Sequence, residues 1–276
     1  SNKTFLMIII AFLGFIYIYG CYCQSWKIWP NTPPNDIPFD KSDDILGWEY
    51  DSDGNYAYGG QYNSADTWYP SWGDEDTIYT PWTDGTLYFN DGSSINSHSW
   101  GNHPQGNSSC GYAIVKGNNV TNLSILQNNT GVYWSGALPY DGRYPCANIM
   151  YNGTWYYGTY GVRYLNDNDI FYIMCPFIGF RWSDDYGKTW NEPRQNITNQ
   201  NDNIFNETCI DNSPIKFGSP HIIDLGINLK YSNDNNMYII GHGSNIDTSI
   251  VSWIQGDQIY LAKIYPNISN INNISK

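Results

Sequence analysis

Asp66, Arg143 and His221 are the residues of this chain best placed, by type and by setting, to do chemistry together. Each stands at the start of a predicted β-strand beside a proline, in Ala65-Asp66-Thr67-Trp68-Tyr69-Pro70, Gly142-Arg143-Tyr144-Pro145 and Ser219-Pro220-His221. Proline suits the first residues of a strand, where no ladder donor is lost. A carboxylate with a cation and an imidazole nearby can act as base or nucleophile while the other two position or tune it. Asp84, in Trp82-Thr83-Asp84-Gly85, and Asp224 are candidates for a second carboxyl group. Hydrolysis of a glycoside usually needs such a pair, one member with a raised pKa to protonate the leaving oxygen. His98, His103, His242 and Asp247 fall on the same predicted side. Trp68, Tyr69 and Trp82, with Trp72 and Trp100, add flat apolar surfaces on which the C–H faces of a sugar stack.

The catalytic candidates are therefore Asp66, Arg143 and His221, and the substrate-binding candidates are Trp68, Tyr69, Trp82, Asp84, His242 and Asp247. Each has a plainer alternative. Asp66 could be a strand cap bonded to backbone, Arg143 and His221 polar fillers of a wet channel, Asp84 before Gly85 a turn residue, and the aromatic residues packing.

These positions have to be held by β-structure. The chain has 276 residues, of which 17% are aromatic and only 14% charged, enough for one large domain and too aromatic for disorder. Gly, Asn, Asp and Pro recur at short intervals among Tyr, Trp, Ile and Val, and beyond the N-terminal apolar run no stretch keeps a 3.6-residue apolar period. The class is all-β. A formal net charge of −13 argues against nucleic acid or an anionic membrane surface as partner.

The N-terminus reads as a targeting segment. An apolar run from Phe5 to Tyr19 is followed by Gly20-Cys21-Tyr22-Cys23-Gln24, the pattern of a secretory signal peptide over residues 1–23. The run is short for a bilayer span, so no stable membrane insertion is expected after cleavage. Residues 24–44, rich in proline, are an extended lead-in. Secretion agrees with acceptor sequons at Asn107, Asn119, Asn122, Asn128, Asn152, Asn196, Asn206, Asn267 and Asn273. Cys110, Cys146, Cys175 and Cys209 remain in the mature chain, and two disulfides are expected, with three connectivities open. No Cys-x-x-Cys pair occurs, and the acidic turn Asp74-Glu75-Asp76 lacks a full calcium loop, so neither metal nor cofactor is expected.

From Ile45 a small unit recurs: a hydrophobic strand, a polar turn and a second strand centred on Tyr. Examples are Ile149-Met150-Tyr151 through Asn152-Gly153 to Trp155-Tyr156-Tyr157, and Ile222-Ile223 through Asn233-Asp234-Asn235 to Met237-Tyr238-Ile239. Between Arg181 and Trp190 the chain spells Ser-x-Asp-x-Gly-x-Thr-Trp with Ser183, Asp185, Gly187, Thr189 and Trp190. This resembles the Asp-box of sialidases and other β-propeller proteins, a structural hairpin in which the glycine supplies positive φ and the carboxylate accepts backbone N–H groups. The resemblance, with the repeated hairpins, implies a β-propeller of four-stranded blades occupying residues 45–265.

Three blades can be assigned. The first uses Trp68–Trp72, Thr77–Trp82, Gly111–Lys116 and Val120–Leu126. The second uses Cys146–Met150, Thr154–Tyr160, Ile170–Phe180 and the strand at Trp190. The third uses His221–Leu225, Met237–Gly241, Ser249–Ile254 and Gln258–Ile264, and the hairpin Leu46–Tyr58 would complete a final blade. A closed propeller needs at least four blades, so the ring is incomplete, and residues 266–276 read as a linker or truncated tail. The Asp-box then lies on one face and the candidate residues on the other.

Ala65-Asp66-Thr67-Trp68, Trp82-Thr83-Asp84-Gly85 and Phe177-Ile178-Gly179-Phe180-Arg181 look like secreted propeller proteins related to glycoside hydrolases, among them five-bladed arabinanase-like glycosidases and six-bladed sialidases. In the arabinanase-like group an Asp at the start of the first inner strand is the base and a Glu of a later blade the acid. The resemblance gives Asp66 the first role. The glutamates are Glu49, Glu75, Glu192 and Glu207, and the last three fall on predicted turns or loops away from the axis. The three arginines of the sialidase pattern are met only by Arg143 and Arg181. The expectation is a secreted carbohydrate-active protein, of glycoside hydrolase type, with a carbohydrate or glycan as partner. A non-catalytic glycan-binding propeller and an extracellular protein-interaction scaffold are the alternatives. Sequence leaves the oligomeric state open.

Overall fold

A computed structural model describes residues 27–28, 47–48, 64–74, 76–89, 91–100, 108–117, 123–134, 138–164, 171–194, 196–209, 215–243 and 258–273. The signal segment, His103, Asp247 and the expected strand Ser249–Ile254 lie outside the described residues. The chain divides into two compact units, Ser1–Tyr56 and Ala57–Lys276. In the first, β1 (Lys27–Ile28) pairs antiparallel with β2 (Gly47–Trp48), so part of the lead-in is itself a short strand.

The second unit is all-β, built of antiparallel sheets none of which closes among the described residues. Its first sheet is a meander of β3 (Ser71–Asp74) and β4 (Thr77–Trp82), interrupted by the hairpin β5 (Gly85–Tyr88) and β6 (Ser94–Ser97) before β7 (Ser109–Lys116). The far edge of β7 is covered by two short strands, β8 (Ser124–Ile125) at one end and β9 (Gly131–Trp134) at the other. The sequence gives no expectation of β5, β6 or β9.

A second sheet runs β10 (Gly142–Tyr151), β11 (Thr154–Tyr164), β12 (Phe171–Ser183), β13 (Gly218–Ile222), β14 (Met237–Gly243) and β15 (Gln258–Ile264) in order. The β10–β11 hairpin turns on Asn152 and Gly153, with φ of 47° and 81°, the doubly positive geometry whose twist matches paired strands. Between β12 and β13 only Pro176 and Gly218 pair, so this sheet is two three-stranded meanders joined at one point. β15 corrects the assignment of the third meander. It pairs with β14 along its whole length, Met237 opposite Ile264 through Gly243 opposite Gln258, in the place given to Ser249–Ile254. In the second meander the expected fourth strand is a single bridge, Trp182 to Asn191.

The meanders stack face to face. Tyr79, Cys110 and Ile114 of the first sheet pack with Met150, Trp155 and Tyr157. The other side of β10–β12 packs Cys146, Tyr156, Tyr160, Phe177 and Phe180 against Phe217, Met237, Ile239 and Ile264. Covered on both faces, β10 is buried almost continuously. β14 alternates instead, with Met237 and Ile239 inward and Tyr238, Ile240 and His242 half-exposed, because only one of its faces is covered. β10 also lies against both β3 and β13, bringing the first strands of the three meanders side by side.

One disulfide is formed, Cys175–Cys209. The expected second one is not: Cys110 and Cys146 are buried thiols. The Cys110 thiol donates to the Arg143 carbonyl at 3.1 Å, and burial pushes the Cys146 thiol well up.

The Ser183–Trp190 turn closes on its own side chains. Ser183 Oγ donates to Asp185 Oδ1 at 2.8 Å and accepts the Gly187 N–H at 2.8 Å. The Thr189 N–H and hydroxyl donate to Asp185 Oδ1 and Oδ2 at 2.8 and 2.7 Å. Gly187 has φ of 86°, and a Cβ there would meet the Trp155 ring at 2.9 Å. The Thr189 bonds, the backbone one first, hold the Asp185 carboxyl down to about 2. A folded pKa below the unfolded value of about 3.9 contributes stability that is whole above that value and is lost as pH falls toward 2. Asp185→Asn is expected to lower the melting temperature at pH 6 and to flatten its fall between about pH 4 and pH 2. Melting curves across that range check this; parallel curves for the two proteins would contradict it.

Candidate functional site

Asp66 and Asp84 lie on neighbouring extended segments joined by backbone hydrogen bonds. The Asp66 N–H donates to the Asp84 carbonyl at 2.8 Å, Ser64 N–H to the Thr86 carbonyl at 2.9 Å, and Thr83 N–H to the Asp66 carbonyl at 3.0 Å. Asp66 thus bonds the backbone of both Thr83 and Asp84, and its charge acts on the Asp84 carboxyl group. The Asp66 side chain is exposed, and Thr83 Oγ1 reaches its Oδ1 at 3.3 Å. Among the described residues no backbone N–H bonds its carboxylate, so it does not cap the strand.

Asp84 has different surroundings. It is half-buried, and its Oδ1 accepts the Ser99 N–H at 2.7 Å. The Tyr144 side chain neighbours the same carboxyl group and favours its ionised form. Desolvation raises the Asp84 pKa, against Tyr144 and the bond from Ser99; Asp66 raises it further and His98 opposes. The outcome is a raised pKa, favouring the protonated acid. Tyr144 is shifted upward as well, by burial first and then by the charge of Asp84.

Tyr69 and the histidines of β13 and β14 lie beside this pair. Tyr69 is buried with its ring 5.1 Å from that of His221, and Asp66 and Ser219 both act on its hydroxyl. His221 is exposed; desolvation, then the neighbouring His242, lowers its pKa. Thr67 and Ser219, flanking Asp66 and His221, hold φ of 32° and 44°. Left-handed backbone at non-glycine residues costs of the order of 1–3 kcal/mol and concentrates at functional sites.

Other candidates go elsewhere. Arg143 is fully buried, its guanidinium donating to the Arg194 carbonyl at 3.1 Å and lying 5.8 Å from the Tyr140 ring. Burial holds its pKa down to about 10. The structure does not bring it to Asp66. The pleat explains this, since adjacent residues of β10 point to opposite faces and Tyr144 takes the face toward Asp84. Trp82 is fully buried and stacks at 6.2 Å on Trp68, so it has no face for a ligand, whereas Trp68 is half-exposed. Asp224 accepts the Gly226 N–H at 2.7 Å in a turn. Glu192 pairs with Arg181 at 3.5 Å, and Glu207 accepts the Lys216 N–H at 2.7 Å.

Sequence reasoning gave no role to Tyr144, Tyr160 or Ser219. Tyr144 was within reach of it, because alternation allows only one of Arg143 and Tyr144 to face the centre. Among the described residues no three of His, Cys, Asp and Glu converge as a metal site. No protein-family model matches the chain, and no characterised protein matches it in sequence.

Proposed function

We propose that this chain is an exported carbohydrate-active protein that hydrolyses glycosidic bonds, with Asp66 as base or nucleophile and Asp84 as the acid. One observation carries the reading: two carboxyl groups on hydrogen-bonded neighbouring segments, one exposed and one half-buried with a raised pKa, suit the two roles that such a reaction requires. Trp68, half-exposed two residues after Asp66, offers aromatic surface, whereas Tyr69 is buried and offers none. The scaffold fits a β-propeller whose first strands β3, β10 and β13 lie toward the axis, with the Ser183–Trp190 turn as its Asp-box. Export is supported by the N-terminal apolar run and the disulfide. It is supported too by the exposure of the sequon residues Asn128, Asn152, Asn196, Asn206, Asn267 and Asn273.

The test is release of reducing sugar from a panel of plant and microbial polysaccharides, with Asp66→Asn and Asp84→Asn beside the wild type. Hydrolysis by the wild type is expected, with loss in both variants and retained glycan binding. Wild-type activity should fall on the alkaline side as Asp84 loses its proton. If the wild type releases nothing while all three proteins bind the same glycan, the protein is a glycan-binding module instead.

A further inference from the structure

We propose that the outer edge of β12 at Gly179 and Phe180 is a peptide-binding slot, filled in this chain by its own Ile271 and Asn272. The ligand it fits is a peptide with a branched aliphatic residue followed by asparagine. The proposal goes beyond the glycosidase reading and does not rest on it.

One edge of β12 pairs with β11, Gly158 opposite Phe180 and Tyr156 opposite Trp182. Along the other edge the backbone groups go to separate pieces of chain. Pro176 pairs with Gly218 of β13, and the Ile178 carbonyl accepts the Ile204 N–H at 3.3 Å. Trp182 exchanges backbone bonds with Asn191 at 2.8 and 3.0 Å. At Phe180 the partner is a side chain. The Phe180 N–H donates to Asn272 Oδ1, and Asn272 Nδ2 donates to the Phe180 carbonyl, both at 2.7 Å. A carboxamide that bonds the N–H and the carbonyl of one residue repeats what a facing residue does in an antiparallel ladder. The slot is therefore a short piece of strand edge, the kind of template on which an added peptide docks.

The surroundings are shaped to these two residues. Gly179 has φ of 140°, and a Cβ there would lie 2.8 Å from Asn272 Oδ1 and 2.9 Å from Arg194 Cγ, in the space the carboxamide needs. Arg194 Nη2 donates to the Asn272 carbonyl at 3.3 Å, while Nη1 donates to the Asp202 carbonyl at 3.3 Å. Ile271 has no exposed surface and belongs to the core that includes Phe177, Phe180, Phe217 and Met237. The residues before them are exposed, Asn267 to Asn270, in a turn whose Asn267 carbonyl accepts the Asn270 and Ile271 N–H groups at 2.9 and 2.8 Å. A segment held by so few buried groups opens at less cost than the sheets around it. Opening leaves an apolar hole beside a bare N–H and carbonyl, which the same two side chains on another peptide fill.

The test uses the full chain carrying Ile271→Ala and Asn272→Ala, which weakens its own segment, and a fluorescent synthetic peptide of residues 265–273. By fluorescence anisotropy the peptide is expected to bind the double variant and not the wild type, whose slot is filled. Asn272→Ala in the peptide should weaken binding about tenfold or more, the effect of losing two hydrogen bonds. No binding to the folded variant overturns the proposal. So does equal binding to wild type and variant, or binding indifferent to Asn272. Should the double variant fail to fold, amide hydrogen exchange of the wild type decides. The Phe180 N–H is expected to exchange by local release of the segment, faster than the amides of β11 and insensitive to low urea. Exchange of Phe180 only together with those amides, through global unfolding, makes the segment fixed core and overturns the proposal.

Discussion

Replacing Arg181 with alanine is expected to destabilise the protein by about 3–5 kcal/mol, the range for removing a large side chain from a packed core. Arg181 lies on β12 next to the Ser183–Trp190 turn, and its side chain has no exposed surface. Its guanidinium is boxed by the rings of Tyr133, Tyr157 and Trp190, with the carbon 3.8 Å from the Tyr157 centroid and 4.5 Å from that of Trp190. Glu192 is the one acidic partner among the described residues, at 3.5 Å, and its side chain is 30% exposed. Nε and Nη2 have no hydrogen-bond partner among the described residues. Three ring faces offer cation–π attraction, about 2 kcal/mol or more for a desolvated pair. Burial works against the charge, and the unpaired N–H groups add to that cost.

The volume and the charge of Arg181 therefore contribute with opposite signs, and methionine separates them. Arg181→Met keeps most of the volume and is expected to lie within about 1 kcal/mol of wild type, or above it. Glu192→Gln strips the cation of its countercharge and should cost about 1–2 kcal/mol, discounted for its exposure. Urea unfolding midpoints of the three variants decide the matter. If Arg181→Met is as damaging as Arg181→Ala, the attraction between cation and rings outweighs desolvation, and packing is the lesser part.

What could be read from the sequence is what local bonding fixes. The Ser183–Trp190 turn is closed by side chains bonding backbone two and four residues away, and the Asn152-Gly153 turn by the φ those residues tolerate. Asp66, with Asp84 or Asp224 as a second carboxyl group, can be named from residue type and strand ends; that Asp84 is the one beside Asp66 depends on the bonding between their segments. The phase of a pleat is less accessible. It decides that Tyr144 rather than Arg143 meets Asp84, and it depends on an irregularity in β10 between Pro145 and Asn148. Trp82 looked like a sugar platform, yet burial depends on the β5–β6 hairpin and on β7, whose Gly111 lets the indole lie flat: a Cβ there would sit 2.0 Å from the ring. The place of β15 was lost for the same reason, since strand neighbours are chosen by distant pairing.

Asn148 shows most plainly how a residue without a local signature can hold both fold and site. It is buried on β10, where Nδ2 donates to the Tyr69 and Tyr79 carbonyls at 2.7 and 2.8 Å and Oδ1 accepts the Trp155 indole N–H at 2.6 Å. Its partners Tyr69 and Tyr79 are 79 and 69 residues away in sequence. The bond to Tyr69 ties β10 to the segment that carries Asp66, and the bond to Tyr79 ties it to β4, whose continuation carries Asp84. Asn148→Leu keeps the volume but leaves an indole N–H and two carbonyls short of a partner, at an expected cost of about 2–4 kcal/mol. Asn148→Asp is expected to cost more at neutral pH, because a buried carboxylate would face two carbonyl oxygens while still accepting from Trp155. Protonation restores one donor, so its deficit should shrink as pH falls, opposite in sign to the acid sensitivity carried by Asp185. Unfolding midpoints at pH 7 and pH 4 separate the two substitutions. Equal losses at both pH values for Asn148→Asp would mean that the site opens to water instead of retaining the charge, and the Asp66 segment would then be detached from β10.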